Sequence, residues 1–171
     1  MKAKEIKTRR LRLAALRPED REDLIGILMD SEVSKTYMVP DLSTEEKKDA
    51  LFERLRALSE REDRFLYGIF REGKLIGLIH DVSMANGEIE LGYFISPREK
   101  NKGYTTEALK AMIPMLFSEG FTTVKAGAFS ENPASMRVME KSGMEKTGQT
   151  ETIAYRGENH VCVYYAIHRE L

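Results

Sequence analysis

The chain has 171 residues, of which 42% are apolar and 32% charged, and its formal net charge is −1. This composition suits a single globular domain over residues 1–171, and it gives no overall field that would attract nucleic acid, so an anion site has to be local. A single cysteine excludes an intramolecular disulfide, and no apolar run reaches the roughly 18 residues of a membrane span.

The start of the chain and its histidines indicate where the protein is located and whether it binds a metal. MKAKEIKTRR has no apolar stretch of the kind found in signal peptides, so we expect a cytoplasmic protein that makes no use of a membrane. The three histidines have no metal-binding spacing and there is no cysteine pair, so no metal site is predicted.

The N-terminal part of the chain predicts one strand followed by two helices. TRRLRLAAL, residues 8–16, alternates leucine with arginine as a short strand does. Pro18 suits the first turn of a helix. Ser43 or Thr44 can cap a second helix, whose leucines recur at helical spacing as far as Leu58.

The period of the apolar pattern changes to two from residue 65. Three strands are predicted as far as residue 96, joined by turns at Glu72-Gly73 and Asn86-Gly87. Strands joined by such short turns form an antiparallel meander.

A helix is predicted from Gly103, because apolar residues then recur at helical spacing. Pro114 interrupts this pattern and removes a backbone donor, so we expect a kink or an early end of the helix there. The remaining predicted elements are a strand at 122–129, a helix at 132–143, and strands near 145–155 and 160–168 with a turn at Arg156-Gly157. Strands that meet both by hairpins and by helical crossovers predict a mixed sheet with helices on its faces.

The basic segment SPREKNKGYTTEALKAM, residues 96–112, leads into that helix through Gly103. A helix start presents about four backbone N–H groups without an intrahelical acceptor, together with a partial positive charge. A glycine there lets the backbone approach a ligand closely. The residues alone leave two interpretations open, a solvated basic loop and a binding site for a phosphate group.

Three segments of the chain resemble the GNAT superfamily of acetyl-CoA-dependent N-acetyltransferases: TRRLRLAALRPED, IELGYFISPREKNKGYTTEAL and LFSEGFTTVKAGAFSENPASMRVMEKSGM. The resemblance covers nearly the whole chain and is greatest to the branch that includes the ribosomal-protein N-terminal acetyltransferases. The superfamily's pyrophosphate motif is Arg or Gln, two residues, Gly, one residue, and then Gly or Ala. In this sequence those three positions fall on Lys100, Gly103 and Thr105, so two of them depart from the usual residues. The residues that match the branch's own form of the loop are Gly103, Tyr104, Glu107 and Ala108.

The resemblance implies an α/β fold of the α+β type, with a mixed, mostly antiparallel twisted sheet and helices on both faces. It also implies acetyl-CoA as cofactor, with pantetheine between two splayed parallel strands near 88–96 and 122–129. Backbone groups of the first strand would face pantetheine and the thioester oxygen, and amides of the basic loop the pyrophosphate. The implied cofactor-binding residues are Phe94, Ile95, Ser96, Lys100, Asn101, Lys102, Gly103, Tyr104, Thr105, Thr106, Asn132 and Ser135.

The expected catalytic residues are Glu90, which strand alternation puts on the same face as Gly92 and Phe94, and Ser135. Glu90 could act as general base, or it could be a strand carboxylate that faces solvent or pairs with an arginine. Asn132 and Ser135 match the branch's "N, two residues, S" pattern, although an asparagine before a helix is also an ordinary N-cap. Many family members have a tyrosine acid where this chain has Met139, so the thiolate is protonated by Ser135, a water or another tyrosine, or leaves unaided.

The acceptor predicted for this site is a primary amine, either a small molecule or a protein N-terminus. An α-amino group has a pKa near 7.7 to 8.0 and a lysine near 10.4, so deprotonating lysine costs roughly 3 kcal/mol more. We therefore expect direct attack by an α-amine or another amine of low pKa, in an enzyme that is a monomer or a homodimer. The first alternative is an acyl-CoA-binding or sensing module without turnover. An ATP-dependent enzyme is disfavoured, because neither a Walker A nor a GxGxxG sequence occurs.

Overall fold

The computed structural model describes residues 2–171, which form one eight-stranded sheet and five α-helices. The strands are β1 (Glu5–Lys7), β2 (Arg12–Ala14), β3 (Tyr67–Arg71), β4 (Lys74–Ala85), β5 (Glu88–Ile95), β6 (Thr123–Phe129), β7 (Glu145–Tyr155) and β8 (Glu158–His168). The helices are α1 (Arg21–Leu28), α2 (Ser31–Thr36), α3 (Glu45–Glu60), α4 (Tyr104–Ser118) and α5 (Pro133–Lys141). No helix in this described part of the chain is both long enough and apolar enough to cross a membrane.

The strands lie in the order β1-β2-β3-β4-β5-β6-β8-β7. Every neighbouring pair is antiparallel except β5 and β6, which are parallel and connected through α4. The predicted mixed, mostly antiparallel sheet is therefore confirmed. The hairpins turn at the predicted positions, where Gly73, Gly87 and Gly157 have φ values of 80°, 78° and 78°. Such left-handed backbone suits glycine in two-residue hairpin loops.

The sheet buries apolar side chains on both faces. Helices α4 and α5 cover one face, to which Leu109, Met112 and Met139 contribute. Helices α1, α2 and α3 cover the other, where Leu24 and Phe52 are buried. The helices thus form two layers, one on each face of the sheet.

Local capping explains where several helices begin. The Thr44 hydroxyl accepts a hydrogen bond from the Lys47 amide at 3.2 Å, so the second of the two residues proposed as cap is the one that serves. The Asp30 carboxylate accepts from the Glu32 amide at 2.9 Å and starts α2, a short helix that the sequence pattern did not indicate. Strand β1 was also not predicted, and β2 is much shorter than the predicted residues 8–16.

The expected early end of α4 at Pro114 is wrong, because the helix continues to Ser118. Pro114 and Lys110 are both exposed, so the Lys110 carbonyl that loses its helical donor can bind water instead. Ile113 and Leu116 are buried against the sheet on either side of the proline. Their burial stabilises the helix by more than one missing hydrogen bond costs.

Candidate active site

The parallel strands β5 and β6 separate part of the way along their length. They pair at four positions, from Glu88 with Thr123 to Leu91 with Ala126. Beyond these pairs β5 continues to Ile95 and β6 to Phe129, and the two strands are no longer paired with each other. The backbone groups of Gly92 to Ile95 on that side are therefore free to face a ligand in the gap.

A cavity of about 580 Å³ opens at this gap. Its walls are β5 residues 92–95, β6 residues 127 and 128, the start of α4, one side of α5, and α2 with the residue that follows it. Small-molecule sites in proteins have volumes of roughly 300 to 1,000 Å³, so the cavity is large enough for a cofactor arm.

The cavity carries an excess of positive charge, although the whole chain has a net charge of −1. Its lining includes four cationic side chains, Lys35, Lys100, Arg137 and Lys141, and two carboxylates, Glu32 and Glu99. Charge of one sign within a cleft raises the local concentration of ligands of the opposite sign. The sequence analysis missed Arg137 and Lys141, although their i, i+4 spacing on α5 places them on one helix face.

The N-terminus of α4 forms one end of the cavity. Gly103 precedes the helix with φ of 81°, and Asn101 also has a positive φ, of 62°. The cavity is lined by Asn101 and by residues 103–106, which include Tyr104, Thr105 and Thr106. The first amides of the helix lack intrahelical acceptors, so they can bind an anion here.

Arg10 and Glu107 hold this helix start against the N-terminal strands. The Glu107 carboxylate accepts hydrogen bonds from the Thr8 hydroxyl at 2.5 Å, the Arg10 amide at 2.9 Å and Arg10 Nε at 2.7 Å. Burial raises the pKa of Glu107, but these hydrogen bonds outweigh burial and keep the pKa below its usual value. Arg10 also donates to the Lys102 carbonyl at 2.8 Å and lies over the Tyr104 ring at 4.5 Å.

Two residues of the predicted cofactor set lie outside the cavity lining. The Ser96 amide donates to the Ile76 carbonyl at 2.7 Å, and Ser96 lines a neighbouring, smaller cleft. Lys102 bonds to Glu99 at 3.1 Å. By contrast, Phe94, Ile95 and the other predicted residues of this set line the cavity. Lys100 does so while its ammonium group pairs with Glu32 at 3.1 Å.

Asn132 and Ser135 lie on the α5 side of the gap. The Asn132 side chain accepts from the Ser135 amide at 3.3 Å, which is the N-cap interaction, while both residues also line the cavity. The Ser135 hydroxyl is 2.7 Å from the Tyr93 hydroxyl. Burial raises the pKa of Tyr93 to about 12, so this hydroxyl is protonated near neutral pH. Met139 is fully buried in the core and does not face the cavity.

Glu90 is half-buried two residues before Gly92 on β5, outside the cavity lining. Burial raises its pKa, with Lys125 acting in the opposite direction and Glu151 adding to the rise. Alternation along the strand puts Glu90 on the same face as Gly92. Glu90 is still paired with Lys125 in the parallel segment, so it lies before the gap and apart from the cavity lining.

Among residues 2–171, no three His, Cys, Asp or Glu side chains are grouped so that they could hold a metal ion.

The open strand pair beside a cationic cavity places the protein in the class of α/β acyltransferases. A family model for the acetyltransferase (GNAT) domain matches residues 10–145, and the chain accordingly belongs to the GNAT acetyltransferases.

Individual relatives agree with this assignment. The chain is 26% identical over 156 residues to an uncharacterised N-acetyltransferase of Bacillus subtilis, and the match covers 88% of each protein. A GNAT-family acetyltransferase structure from Bacillus anthracis superposes with a TM-score of 0.82 at 28% identity, covering 96% of this chain and 98% of that one. RimL, a ribosomal α-N-protein acetyltransferase in complex with coenzyme A, gives a TM-score of 0.85 at 17% identity, covering 96% and 97%. At that identity the likeness to RimL concerns the fold.

Proposed function

We propose that this acetyltransferase takes its acetyl group from acetyl-CoA, bound across the gap between β5 and β6. The observation that carries the proposal is the end of strand pairing after Leu91 and Ala126, at the mouth of a cationic cavity. Pantetheine is an extended chain with amide groups, which unpaired strand backbone can bind. Acetyl-CoA supplies a thioester, whose carbonyl carbon is the electrophile.

The lining fits both charged and neutral parts of such a carrier. First-turn amides of α4 and the side chains of Lys100 and Arg137 are suited to phosphate oxygens. The backbone at Phe94 and Ile95 is suited to the pantetheine amides. Ser96 and Lys102 then support the loop from outside the cavity, through the Ile76 carbonyl and Glu99.

The proposed acceptor is a primary amine that attacks the thioester directly, and an α-amino group is the preferred form. Ser135 is the group proposed to protonate the departing thiolate, and its bond to Tyr93 supports this role because Tyr93 can replace the transferred proton. The tyrosine acid common in the family is replaced by the buried Met139, which leaves this site with modest acid–base groups. An α-amine needs roughly 3 kcal/mol less for deprotonation than a lysine side chain, so it suits such a site.

The test combines calorimetry with acetyl-CoA and a thiol-release assay on three amines: a peptide with a free α-amino group, the same peptide acetylated at its N-terminus with one lysine, and a polyamine. We expect binding of acetyl-CoA and the highest kcat/KM for the α-amine. A clear preference for lysine would contradict the acceptor assignment. Binding without turnover on any amine would favour the alternative, an acyl-CoA-sensing module.

A further inference from the structure

Tyr37 and His80 form a hydrogen-bonded pair with one possible direction of proton donation. The Tyr37 hydroxyl is 2.8 Å from Nε2 of His80, and Nδ1 of the same ring is 2.9 Å from the Asp81 carbonyl oxygen. A carbonyl oxygen only accepts, so Nδ1 carries the hydrogen. In the neutral ring Nε2 is then bare, and the Tyr37 hydroxyl donates to it.

This pair lies where β5 leaves its parallel partner. His80 is paired with Gly92, the first β5 residue beyond the parallel pairing, and a Cβ at Gly92 would come within 2.9 Å of the imidazole. Tyr37 lines the cavity, with its ring 4.7 Å from that of Phe94 in an edge-on arrangement. The pair therefore stands beside the place proposed for the thioester.

Burial keeps the pair in the state needed for proton transfer, and most of the charges around it act against the effect of burial. Burial lowers the pKa of His80, the Asp81 carbonyl bond and carboxylate oppose this effect, and Arg64 adds to it. The Asp81 carboxylate is itself held by Arg64, with Nη2 to Oδ1 at 2.5 Å. Burial raises the pKa of Tyr37 to about 12, with Arg54 of α3 opposing. Near pH 7 the imidazole is thus neutral and the hydroxyl protonated.

Strand β7 fixes the segment that carries Tyr37. The Tyr155 hydroxyl donates to the Ser34 carbonyl at 2.7 Å and accepts from the Val39 amide at 3.3 Å. These bonds hold the backbone on both sides of Tyr37. A group whose position is fixed before the ligand arrives needs no reorganisation during the reaction.

We propose that Tyr37 removes the proton of the attacking amine and that His80 is its positioning partner, an inference that rests on the proposed acetyl transfer to an amine. The amine lone pair forms the new C–N bond as the C–S bond breaks. The sulfur leaves with the electron pair and takes the hydroxyl proton of Ser135, which regains a proton from Tyr93, and Tyr93 regains its own from solvent. The proton lost by nitrogen goes to the Tyr37 oxygen. The hydroxyl proton of Tyr37 goes to Nε2 of His80, which becomes an imidazolium and later releases its proton to solvent.

This relay assigns the base role to residues that the sequence analysis did not consider. Tyr37 lines the cavity, whereas Glu90 does not, so Tyr37 borders the space that an acceptor amine would occupy. Both groups lie on the same side of the sheet, and the experiment below includes Glu90 for that reason.

The test compares Tyr37→Phe, His80→Gln and Glu90→Gln with the wild type, and uses His168→Gln as the matched control. Phenylalanine keeps the ring against Phe94, and glutamine can still accept from Tyr37 but cannot take up a proton. His168 bonds to Thr123 at 2.9 Å, at the end of β6 opposite the gap. We measure kcat and KM for an α-amine peptide, acetyl-CoA affinity by calorimetry, and kcat against pH with two amines of different pKa.

We expect kcat to fall about 100-fold or more in Tyr37→Phe and His80→Gln, with acetyl-CoA affinity within twofold of the wild type and His168→Gln unchanged. The wild-type pH profile should have an acid limb below pH 6.5 that does not move when the amine is changed and that disappears in His80→Gln. Tyr37→Phe alone decides the matter if His80→Gln does not fold.

If the wild type turns over and kcat of both Tyr37→Phe and His80→Gln stays within threefold of the wild-type value, the inference is overturned. The proposed function is then left intact. The same holds if the acid limb persists in His80→Gln and disappears in Glu90→Gln, because the carboxylate would then be the base. No wild-type turnover on any amine would overturn both proposals together.

Discussion

The two sides of the gap between β5 and β6 are built in different ways. On the α4 and α5 side, a short continuous segment, residues 99–106, supplies main-chain amides and a glycine turn at the end of the cavity. On the α1 to α3 side, single side chains from distant elements meet, as Tyr37, His80 and Tyr155 do. A proposed binding surface for the carrier thus depends on backbone conformation, whereas the proposed acceptor surface depends on side-chain contacts across the fold.

The largest effect on the carrier side is expected from Glu107→Gln, which weakens three hydrogen bonds, one of them from a charged arginine. The free energy of unfolding should fall by about 2 kcal/mol at pH 7. Since the folded pKa of Glu107 is depressed, this stability is present above its usual value of 4.5 and is lost as the pH falls through the folded pKa. Urea denaturation at pH 7 and pH 3 should therefore show a difference that shrinks in acid.

Glu53→Gln is the control for that comparison, because Glu53 forms an exposed ion pair with Arg56 on α3. Such surface pairs contribute little, so its stability should change by less than about 0.5 kcal/mol. An equal loss for Glu107→Gln at both pH values would contradict the role given to its charge.

The next largest effect on this side is expected from Gly103→Val, and it concerns binding of the carrier. Valine in left-handed backbone costs about 1 to 2 kcal/mol, and a Cβ here would lie 3.3 Å from a guanidinium nitrogen of Arg10. We expect acetyl-CoA affinity, measured by calorimetry, to fall about tenfold, which corresponds to about 1.4 kcal/mol.

Two variants separate this effect from general strain. Gly120 has φ of 105° and open space around its Cβ position, so Gly120→Val introduces comparable strain away from the cavity and should leave the affinity unchanged. Lys102→Ala should change it by less than twofold, because that side chain lies outside the lining. Equal losses in all three variants would mean that the carrier binds elsewhere.

The smallest effect is expected on the acceptor side, from Tyr155→Phe. Loss of its bond to the Ser34 carbonyl should lower the free energy of unfolding by about 1 kcal/mol. The segment around Tyr37 loses its anchor, so KM for the amine should rise several-fold while acetyl-CoA affinity is kept.

Tyr165→Phe removes a hydroxyl bonded to Glu140 at 2.8 Å on the opposite face, and should cost similar stability with no change in KM. A KM that is equal in the two variants would contradict the division between the two sides.

The sequence predicted most of the fold, because its signals are local. Turns such as Asn86-Gly87 and the cap at Asn132 depend on neighbouring residues, so hairpins and α5 could be placed. The short elements β1 and α2 have too few residues for a periodic pattern. The helix through Pro114 required knowledge of burial on the sheet, which local propensity does not contain.

The candidate site was accessible to sequence reasoning on one side only. The loop at Gly103 forms a continuous motif, and the structure brings most of its residues to the cavity. The contacts of Arg10 with Glu107 and of Tyr37 with His80 join positions 97 and 43 residues apart. Nothing in one sequence signals such pairs, because they arise when the sheet assembles.

The short parallel pairing of β5 and β6 has a consequence for hydrogen exchange. Within residues 2–171, the short pairing of Glu88–Leu91 with Thr123–Ala126 joins strands β1–β5 to strands β6–β8 through the sheet itself. A ligand bound in the gap would bridge β5 and β6 just beyond the point where their own pairing ends. Hydrogen exchange at the backbone amides of these paired residues should slow when acetyl-CoA is added. This would report binding of acetyl-CoA in the gap without any assay of turnover.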